Sequence, residues 1–285
     1  MSAPVDSKLY LNLHQQIVEE RSSFKAKHQD DIKIFDEEIR KRGEEGKPLL
    51  DIEKLDIEEM LLNEFLQHLL SLLKRHELFN QAEIDKFIDG KEKINLRQLI
   101  HPIINGDLKN IKSFSDQLDV GTDLLFFISL NLSQAVLELY SSKLKQKIDQ
   151  ESWLKGNCPV CGNYPAIEKL RKEDGRRILR CGFCGTEWHH KRIMCPFCGN
   201  EDHNSLRYFF IDEDSTTEKS AFRVDVCDKC KRYIKTLDER KLPQSEKPDL
   251  YLENLNTIYL DVLAQRDGYK SPTYWMVAPS EDLFV

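Results

Sequence analysis

The chain has 285 residues, of which 40% are hydrophobic and 32% are charged, and its formal net charge is −7 at pH 7. This composition excludes collagen-like and low-complexity proteins. Its longest strongly apolar run, residues 124–130, is far shorter than the roughly 20 residues that cross a bilayer. The acidic balance also disfavours a general nucleic-acid coat. We therefore expect no membrane insertion and no nucleic-acid partner.

The first half of the chain has the apolar periodicity of α-helices. One helix is predicted over residues 8–42, before the turn residues of 42–48, and a second over 57–76 with an inward face. That face comprises Met60, Leu61, Phe65, Leu69 and Leu72. Shorter helices fit 81–88 and 96–104, with a turn at 105–107. A long helix over about 123–149 is apolar nearly all round in its first half, which predicts the central helix of a bundle.

All 8 cysteines lie between residues 158 and 230, and they form four Cys-x-x-Cys pairs. The pairs are Cys158/Cys161, Cys181/Cys184, Cys195/Cys198 and Cys227/Cys230. A disulfide framework would spread its cysteines over the fold. The N-terminus shows no basic flank before an apolar stretch, so we expect no secretory signal and a reducing, cytoplasmic location where thiols persist.

The segments between the pairs have the pattern of β-hairpins. Strands are predicted over 165–170 and 178–180, and again over 205–211 and 221–226 around a polar turn at 212–218. Two Cys-x-x-Cys turns that face each other at the base of a hairpin place four sulfurs in a tetrahedron. The predicted metal ligands are therefore Cys158, Cys161, Cys181 and Cys184 at one site, and Cys195, Cys198, Cys227 and Cys230 at the other.

Several alternatives compete with this interpretation. A thioredoxin-like redox pair would need a βαβ context, which the sequence does not show. A pairing of Cys181/Cys184 with Cys195/Cys198 would leave the hairpins unclosed, so it is disfavoured. Four thiolates suit either zinc or iron, and the residues leave that choice open. We expect two metal ions per chain, each held by four thiolates.

Other residues near the cysteines have structural interpretations. Trp188 is expected in the core over the first site, while His189 and His190 are expected at the surface. Asp228 is expected to be an exposed turn residue. A cluster of basic residues is expected to solvate the hairpins and to balance thiolate charge: Lys169, Arg171, Lys172, Arg176, Arg177, Arg180, Lys191 and Arg192. The sequence has no Gly-rich phosphate loop, Ser-His-Asp signature or His-Glu-x-x-His motif, so we expect no enzyme.

The complete cysteine pattern resembles the formate dehydrogenase accessory protein FdhE family. The resemblance lies in Cys158–Gly162, Cys181–Cys184, Trp188, Arg192, Cys195–Cys198 and the run from Cys227 to Lys235, with further likeness at residues 260–269. It implies a helical N-terminal part, two rubredoxin-like modules and iron as the metal. It also implies a cytoplasmic role in the maturation of formate dehydrogenase, through contact with its catalytic subunit.

The sequence therefore predicts an α+β protein in four parts. These are a helical domain at 1–150, rubredoxin-like or zinc-ribbon modules at 151–192 and 193–240, and a C-terminal helix and tail at 241–285. The predicted function is that of a metal-binding accessory protein for formate dehydrogenase. The alternatives are a zinc-ribbon nucleic-acid-binding protein and a rubredoxin-like electron carrier or thiol redox protein.

Overall fold

The computed structural model describes residues 7–55, 57–210 and 221–271. These residues form two compact units. The helical unit contains the described residues up to Asp36 and Leu50–Lys143. The Cys-rich unit contains Glu37–Leu49 and the described residues from Leu144 onward. A short N-terminal segment thus belongs with the cysteines rather than with the helices that flank it.

Helices α1–α7 occupy the N-terminal half of the chain. Their bounds are Ser7–His28, Asp36–Glu44, Glu59–His76, Gln81–Gly90, Arg97–Asn105, Leu108–Leu118 and Thr122–Leu144. The helix α6, Leu108–Leu118, was not predicted. Gly106 ends α5 with a φ of 71°, which confirms the predicted turn.

The prediction of one continuous helix over residues 8–42 is wrong, because the helix is interrupted between His28 and Asp36. The end of α1 is followed by Asp30 and Asp31, whose negative charges are unfavourable near a helix C-terminus. The His28 Nδ1 atom lies 2.6 Å from Asp31 Oδ2 and helps to fix this turn. The break leaves Phe35 68% exposed, so it is not a core residue.

The core of the helical unit is apolar. The helix α3 contributes Leu61, Phe65, Leu69 and Leu72 to it, as predicted, but Met60 is 70% exposed. Met60 is the second residue of α3, where the chain enters the helix from a loop, so helical periodicity overextends its inward face there. The Phe24 and Phe65 rings lie 5.4 Å apart and pack α1 against α3.

The helix α7 is the central helix of this unit. Thr122–Lys147 is long and apolar enough to cross a membrane, but 89% of its most apolar window is buried inside the protein, as in the core helix of a bundle. Its buried serines are satisfied locally: Ser129 and Ser133 donate to the carbonyls four residues earlier, each at 2.7 Å. Polar residues are therefore tolerated in an otherwise apolar core.

The Cys-rich unit is built on a six-stranded sheet in the order β3-β2-β1-β6-β5-β4. The strands are Pro165–Leu170, Arg177–Cys181, Glu187–His190, Leu206–Phe209, Phe222–Cys227 and Arg232–Asp238. The first hairpin, β1–β2, and the second, β4–β5, are antiparallel as predicted. The turn predicted at 212–218 lies outside the described residues.

One parallel contact joins the two halves of this sheet. Strand β1 pairs with β6 in a register that matches Ile167 to Lys235 and Leu170 to Asp238. The sheet is therefore continuous from the first hairpin to the second. The predicted boundary between modules at residues 192 and 193 stays a prediction, and the sheet crosses it.

The C-terminal region forms two short helices, α8 (Leu250–Asn256) and α9 (Ile258–Arg266). Asp249 caps α8, since its carboxylate accepts from the backbone amides of Tyr251 and Leu252. Leu260 and Ala264 of α9 pack against Val224 and Tyr233 of the sheet. The fold is thus α+β, with helices first, then a sheet with cysteine clusters, then helices, which confirms the predicted fold class.

Candidate metal centres

Backbone hydrogen bonds close the Cys-x-x-Cys segments into tight turns. In the first, Gly162 N donates to Cys158 O at 2.9 Å and Cys158 N donates to Asn163 O at 2.8 Å. The turn from Cys195 repeats both bonds, at 3.0 and 2.8 Å. This geometry directs both sulfurs of a turn to the same side.

A left-handed residue follows the second cysteine of every turn. Three turns use glycine there: Gly162 (φ 79°), Gly185 (66°) and Gly199 (69°). The fourth turn places Lys231 in this conformation, with a φ of 54°. A side chain with a Cβ atom is strained in this region, so the fourth turn carries a conformational cost that the other three avoid.

The first cysteine group comprises Cys158, Cys161, Cys181 and Cys184, and all four residues are buried. Cys158 Sγ lies 3.5 Å from Cys184 Sγ, and Cys161 Sγ lies 3.4 Å from Cys181 Sγ. Burial raises the pKa of the Cys158 and Cys161 thiols well above their usual value. A cation is needed to offset this cost if all four sulfurs are to be thiolates.

The second cysteine group comprises Cys195, Cys198, Cys227 and Cys230. Its sulfur atoms pair at 3.7 Å (Cys195 with Cys230) and 3.8 Å (Cys198 with Cys227). Cys198 is exposed and Cys230 is half-buried, so water reaches this group more easily than the first. The Asn200 amide lies 3.7 Å from Cys227 Sγ and can donate to it.

The geometry of both groups fits a tetrahedral metal ion. All ligand atoms of a group lie within 4.8 Å of one another. Four sulfurs at about 2.3 Å from a central zinc ion would be separated by about 3.8 Å, which is close to the four sulfur separations of 3.4–3.8 Å given above. Each group therefore could hold one metal ion, and the geometry suits zinc and iron alike.

The structure brings the eight cysteines together in the combinations that the hairpin pattern predicts, and not in the disfavoured combination of Cys181/Cys184 with Cys195/Cys198. All eight lie in the described residues, and none of them forms a disulfide bond. Metal binding itself stays a prediction.

The residues beside the cysteines show a mixed outcome. Trp188 is 1% exposed, as expected for a core residue, and its indole donates to the Lys155 carbonyl at 3.0 Å. His190 was expected at the surface but is buried, because β3 places alternate residues on the inner face of the sheet. Asp228 forms an ion pair with Arg207 at 2.8 Å and accepts from the Tyr269 hydroxyl at 2.7 Å. It therefore has specific partners.

The first segment of the Cys-rich unit, residues 37–49, covers the Cys-x-x-Cys turn at Cys158. Leu49 N donates to the Pro159 carbonyl at 2.8 Å. A Cβ atom added to Gly162 would lie 3.1 Å from the Pro48 ring. Residues 37–49 thus lie against the first cysteine group, a contact that sequence analysis missed because these residues are far from the cysteines in the chain.

Sequence analysis also missed a buried polar network between the hairpins. Arg177 was assigned to a solvated basic cluster, but it is 6% exposed and forms an ion pair with the fully buried Glu168 at 2.6 Å. Thr236 of β6 donates to Glu168 Oε1 at 2.8 Å and lies 2.9 Å from Asp225 Oδ2. Burial raises the pKa of Glu168 to about 7, against the lowering effect of Arg177.

A second buried network attaches the C-terminal helices to the sheet. Lys235 is 1% exposed, and its ammonium group donates to Asp261 Oδ2 and to the Asn254 carbonyl, each at 2.5 Å. The Tyr233 hydroxyl donates to Asp261 Oδ1 at 2.7 Å. Strand β6 begins just after Cys230, so it connects the second cysteine group to α8 and α9.

Comparison with known proteins finds that the Cys-rich region matches FdhE domains and that the chain is similar to FdhE proteins. Two family models match, "FdhE, central domain" over residues 157–192 and "FdhE, C-terminal domain" over 193–276. The FdhE homolog of Aquifex aeolicus is 29% identical over 268 residues, which cover 93% of this chain and 86% of that protein. An FdhE protein of Escherichia coli O127:H6 is 28% identical over 81% of this chain and 69% of its own length.

The fold is also that of a solved structure. The crystal structure of the FdhE protein from Pseudomonas aeruginosa superposes with a TM-score of 0.64 and 19% sequence identity, over 96% of this chain and 98% of that one. Each matched region contains one or more of the Cys-x-x-Cys turns described above. Residues 157–276 of the chain therefore carry the central and C-terminal domains of FdhE.

Proposed function

We propose that this chain is a metal-binding accessory protein for the maturation of formate dehydrogenase. It binds the catalytic subunit of that enzyme in the cytoplasm, and it holds two metal ions through Cys158, Cys161, Cys181 and Cys184 and through Cys195, Cys198, Cys227 and Cys230. The match to the FdhE domains supports the client. Eight cysteines without a disulfide bond support a reducing compartment.

Both cysteine groups are closed, and this observation supports a role in recognition rather than in catalysis. Four sulfurs already surround the centre of each group. A tetrahedral ion with four thiolate ligands has no open position for a substrate or a reactive water, unlike a catalytic zinc ion. The ions would then fix the loops of the sheet, and the protein surface would contact the client.

A native-extract experiment tests the client. The full-length tagged chain should co-purify with the catalytic subunit of formate dehydrogenase, and Cys-to-Ser changes at Cys158 and Cys161 should weaken that association. A strain that lacks the gene should lose formate oxidation while it retains the transcript of the catalytic subunit. Undiminished formate oxidation in that strain would refute the proposal and favour an electron-carrier role.

The metal can be identified with the same purified protein. Ferric iron bound by four thiolates absorbs visible light and colours the protein red, whereas zinc leaves it colourless. Elemental analysis of anaerobically purified protein then gives the identity and amount of the ion. Iron is the metal that the family resemblance suggests.

A further inference from the structure

A cavity of about 390 Å³ lies beside the second cysteine group, with Cys195 and Cys227 in its wall. The charged residues that line it are mostly positive. Among the described lining residues there are five arginines and a single carboxylate: Arg177, Arg192, Arg207, Arg223, Arg232 and Asp225. Guanidinium groups that converge on one space repel each other unless anions lie between them.

Carboxylates within the protein pair with three of these arginines. The ion pairs are Arg177 with Glu168 at 2.6 Å, Arg223 with Asp225 at 2.9 Å and Arg207 with Asp228 at 2.8 Å. In the part of the chain that the structure describes, no carboxylate lies within 4.0 Å of the guanidinium nitrogens of Arg192 or Arg232. Among the described residues, Arg192 and Arg232 are therefore two cations in the cavity lining without a carboxylate partner.

Contacts within the unit hold the Arg232 side chain and the segment that carries Arg192 in place. The Arg232 guanidinium lies over the rings of Tyr164 and Phe197, at 5.7 and 5.9 Å from their centres. The buried Arg177 donates to the Met194 carbonyl at 2.6 Å and to the Lys191 carbonyl at 3.3 Å, which fixes the segment that carries Arg192. The fold thus fixes the Arg232 guanidinium and the backbone on either side of the exposed Arg192.

We propose that this cavity is a carboxylate-binding site in which Arg192 and Arg232 are the principal ligand-binding residues. The planar fork of a guanidinium group matches a carboxylate with two parallel hydrogen bonds. The cavity volume is in the range of pockets that take small molecules or single side chains. The carboxylate has two possible sources, which are an acidic side chain of a partner protein and a free small carboxylic acid.

The exposed residues in the cavity wall favour the first source. Ile193 and Tyr208 are 61% and 58% exposed and line the same cavity as the arginines. A peptide that alternates acidic and apolar residues would place its carboxylates on the arginines and its apolar side chains on Ile193 and Tyr208. A free small acid would leave these two side chains uncovered.

Charge balance at the second cysteine group is the alternative explanation for these arginines. A divalent ion with four thiolates carries a net charge of −2, so the arginines could serve only to balance the second cysteine group. In that case Arg192→Gln and Arg232→Gln would weaken metal binding and would leave anion binding unchanged. The two explanations therefore predict opposite results for metal content and ligand affinity.

Fluorescence polarisation of the metal-loaded full-length chain tests the site. The probe is a labelled hexapeptide that alternates leucine and glutamate, and its control has glutamine in place of glutamate. We expect Arg192→Gln and Arg232→Gln each to weaken binding about tenfold, with two metal ions retained. The control variant Arg266→Gln removes the same charge from an exposed position in α9 outside the cavity, and it should bind as the unchanged chain does.

Acetate at constant ionic strength distinguishes the two sources. Competition by acetate that is lost in Arg192→Gln would show that a free carboxylate occupies the site. Peptide binding that acetate does not displace would assign the site to a partner's acidic side chain. Equal binding of both peptides, equal affinity of all variants, or loss of metal from the Arg192 and Arg232 variants would overturn the proposal.

Discussion

The interiors of the helical unit and the Cys-rich unit contain different kinds of side chain. The helical unit buries mainly leucine, isoleucine and phenylalanine, with few ionisable groups. The Cys-rich unit buries seven of its eight cysteines at least partly, together with Glu168, Arg177 and Lys235. The first interior is stable through the removal of apolar surface from water. The second places thiols and charges where they are costly unless a metal ion and ion pairs offset them.

The two cysteine groups differ from each other in a similar way. The first is fully buried, with residues 37–49 against it, whereas the second exposes Cys198. The same motif therefore produces a protected site and an accessible one. The difference comes from what covers each group, since the turns from Cys158 and Cys195 are closed by the same two backbone hydrogen bonds.

Metal removal should have the largest difference in effect between the two units. Chelation under mildly acidic, reducing conditions should unfold the sheet, because the thiolates must release the ion as they gain protons. Hydrogen exchange followed by mass spectrometry should show lost protection in residues 144–271 and retained protection in 59–143. Simultaneous loss of protection in the helical unit would contradict the contrast between the two interiors.

Single cysteine changes should distinguish the two groups. Structural zinc binding is worth about 10 kcal/mol in small zinc domains, so loss of an ion from either group should lower stability. Cys181→Ser should empty the first group and leave the second largely occupied. Its matched variant, Cys198→Ser, should empty the second group with a smaller decrease in Tm, because Cys198 is exposed. One elemental analysis and one thermal melt per variant suffice, and two empty groups in Cys181→Ser would show that the groups are coupled.

The buried ion pair gives a smaller effect. Arg177→Met leaves Glu168 without its cation inside the sheet, and removal of one partner of a buried pair costs about 3 kcal/mol or more. Arg176→Met changes the neighbouring side chain, which is half exposed and forms only surface ion pairs. It should change the free energy of unfolding by less than about 1 kcal/mol. Equal denaturation midpoints for the two variants would be inconsistent with the buried network.

The pH dependence of stability tests the helical unit through His14, which lies outside the cysteine groups. Burial, with a contribution from Arg21, lowers the pKa of His14 from 6.5 to about 3. The unfolded chain therefore binds more protons than the folded one between these values, so stability is full above pH 6.5 and falls as the pH decreases. The loss from this histidine is about 1.5 kcal/mol between pH 6.5 and 5.

One histidine variant checks this linkage by denaturant titration at both pH values. His14→Gln should have a smaller loss of stability over the range than the unchanged chain. An identical slope for His14→Gln would show that His14 is not the group that titrates.

Local signals in the sequence predicted the parts of the molecule that depend on neighbouring residues. The Cys-x-x-Cys turns are closed by hydrogen bonds within six residues, so the spacing of cysteine and glycine already specifies them. Helical periodicity located α3, α4, α5 and α7 for the same reason. Hairpins are also local, and the strands of both were predicted.

The features that sequence analysis missed join distant residues. The pairing of β1 with β6 connects Ile167 to Lys235, and no local pattern specifies such a register. This pairing buries Arg177 and Glu168. From the sequence alone, two charged residues in a hairpin would be expected to face solvent. The break after His28 was missed because apolar residues recur on both sides of it at helical intervals.

Metal content tests the central claim most directly. The account predicts that anaerobically purified full-length protein contains two zinc or iron ions per chain, that Cys181→Ser contains one, and that Cys181→Ser combined with Cys198→Ser contains none. Two ions in the unchanged chain with this stepwise loss would support two independent four-thiolate sites. One ion or none in the unchanged chain would contradict the account.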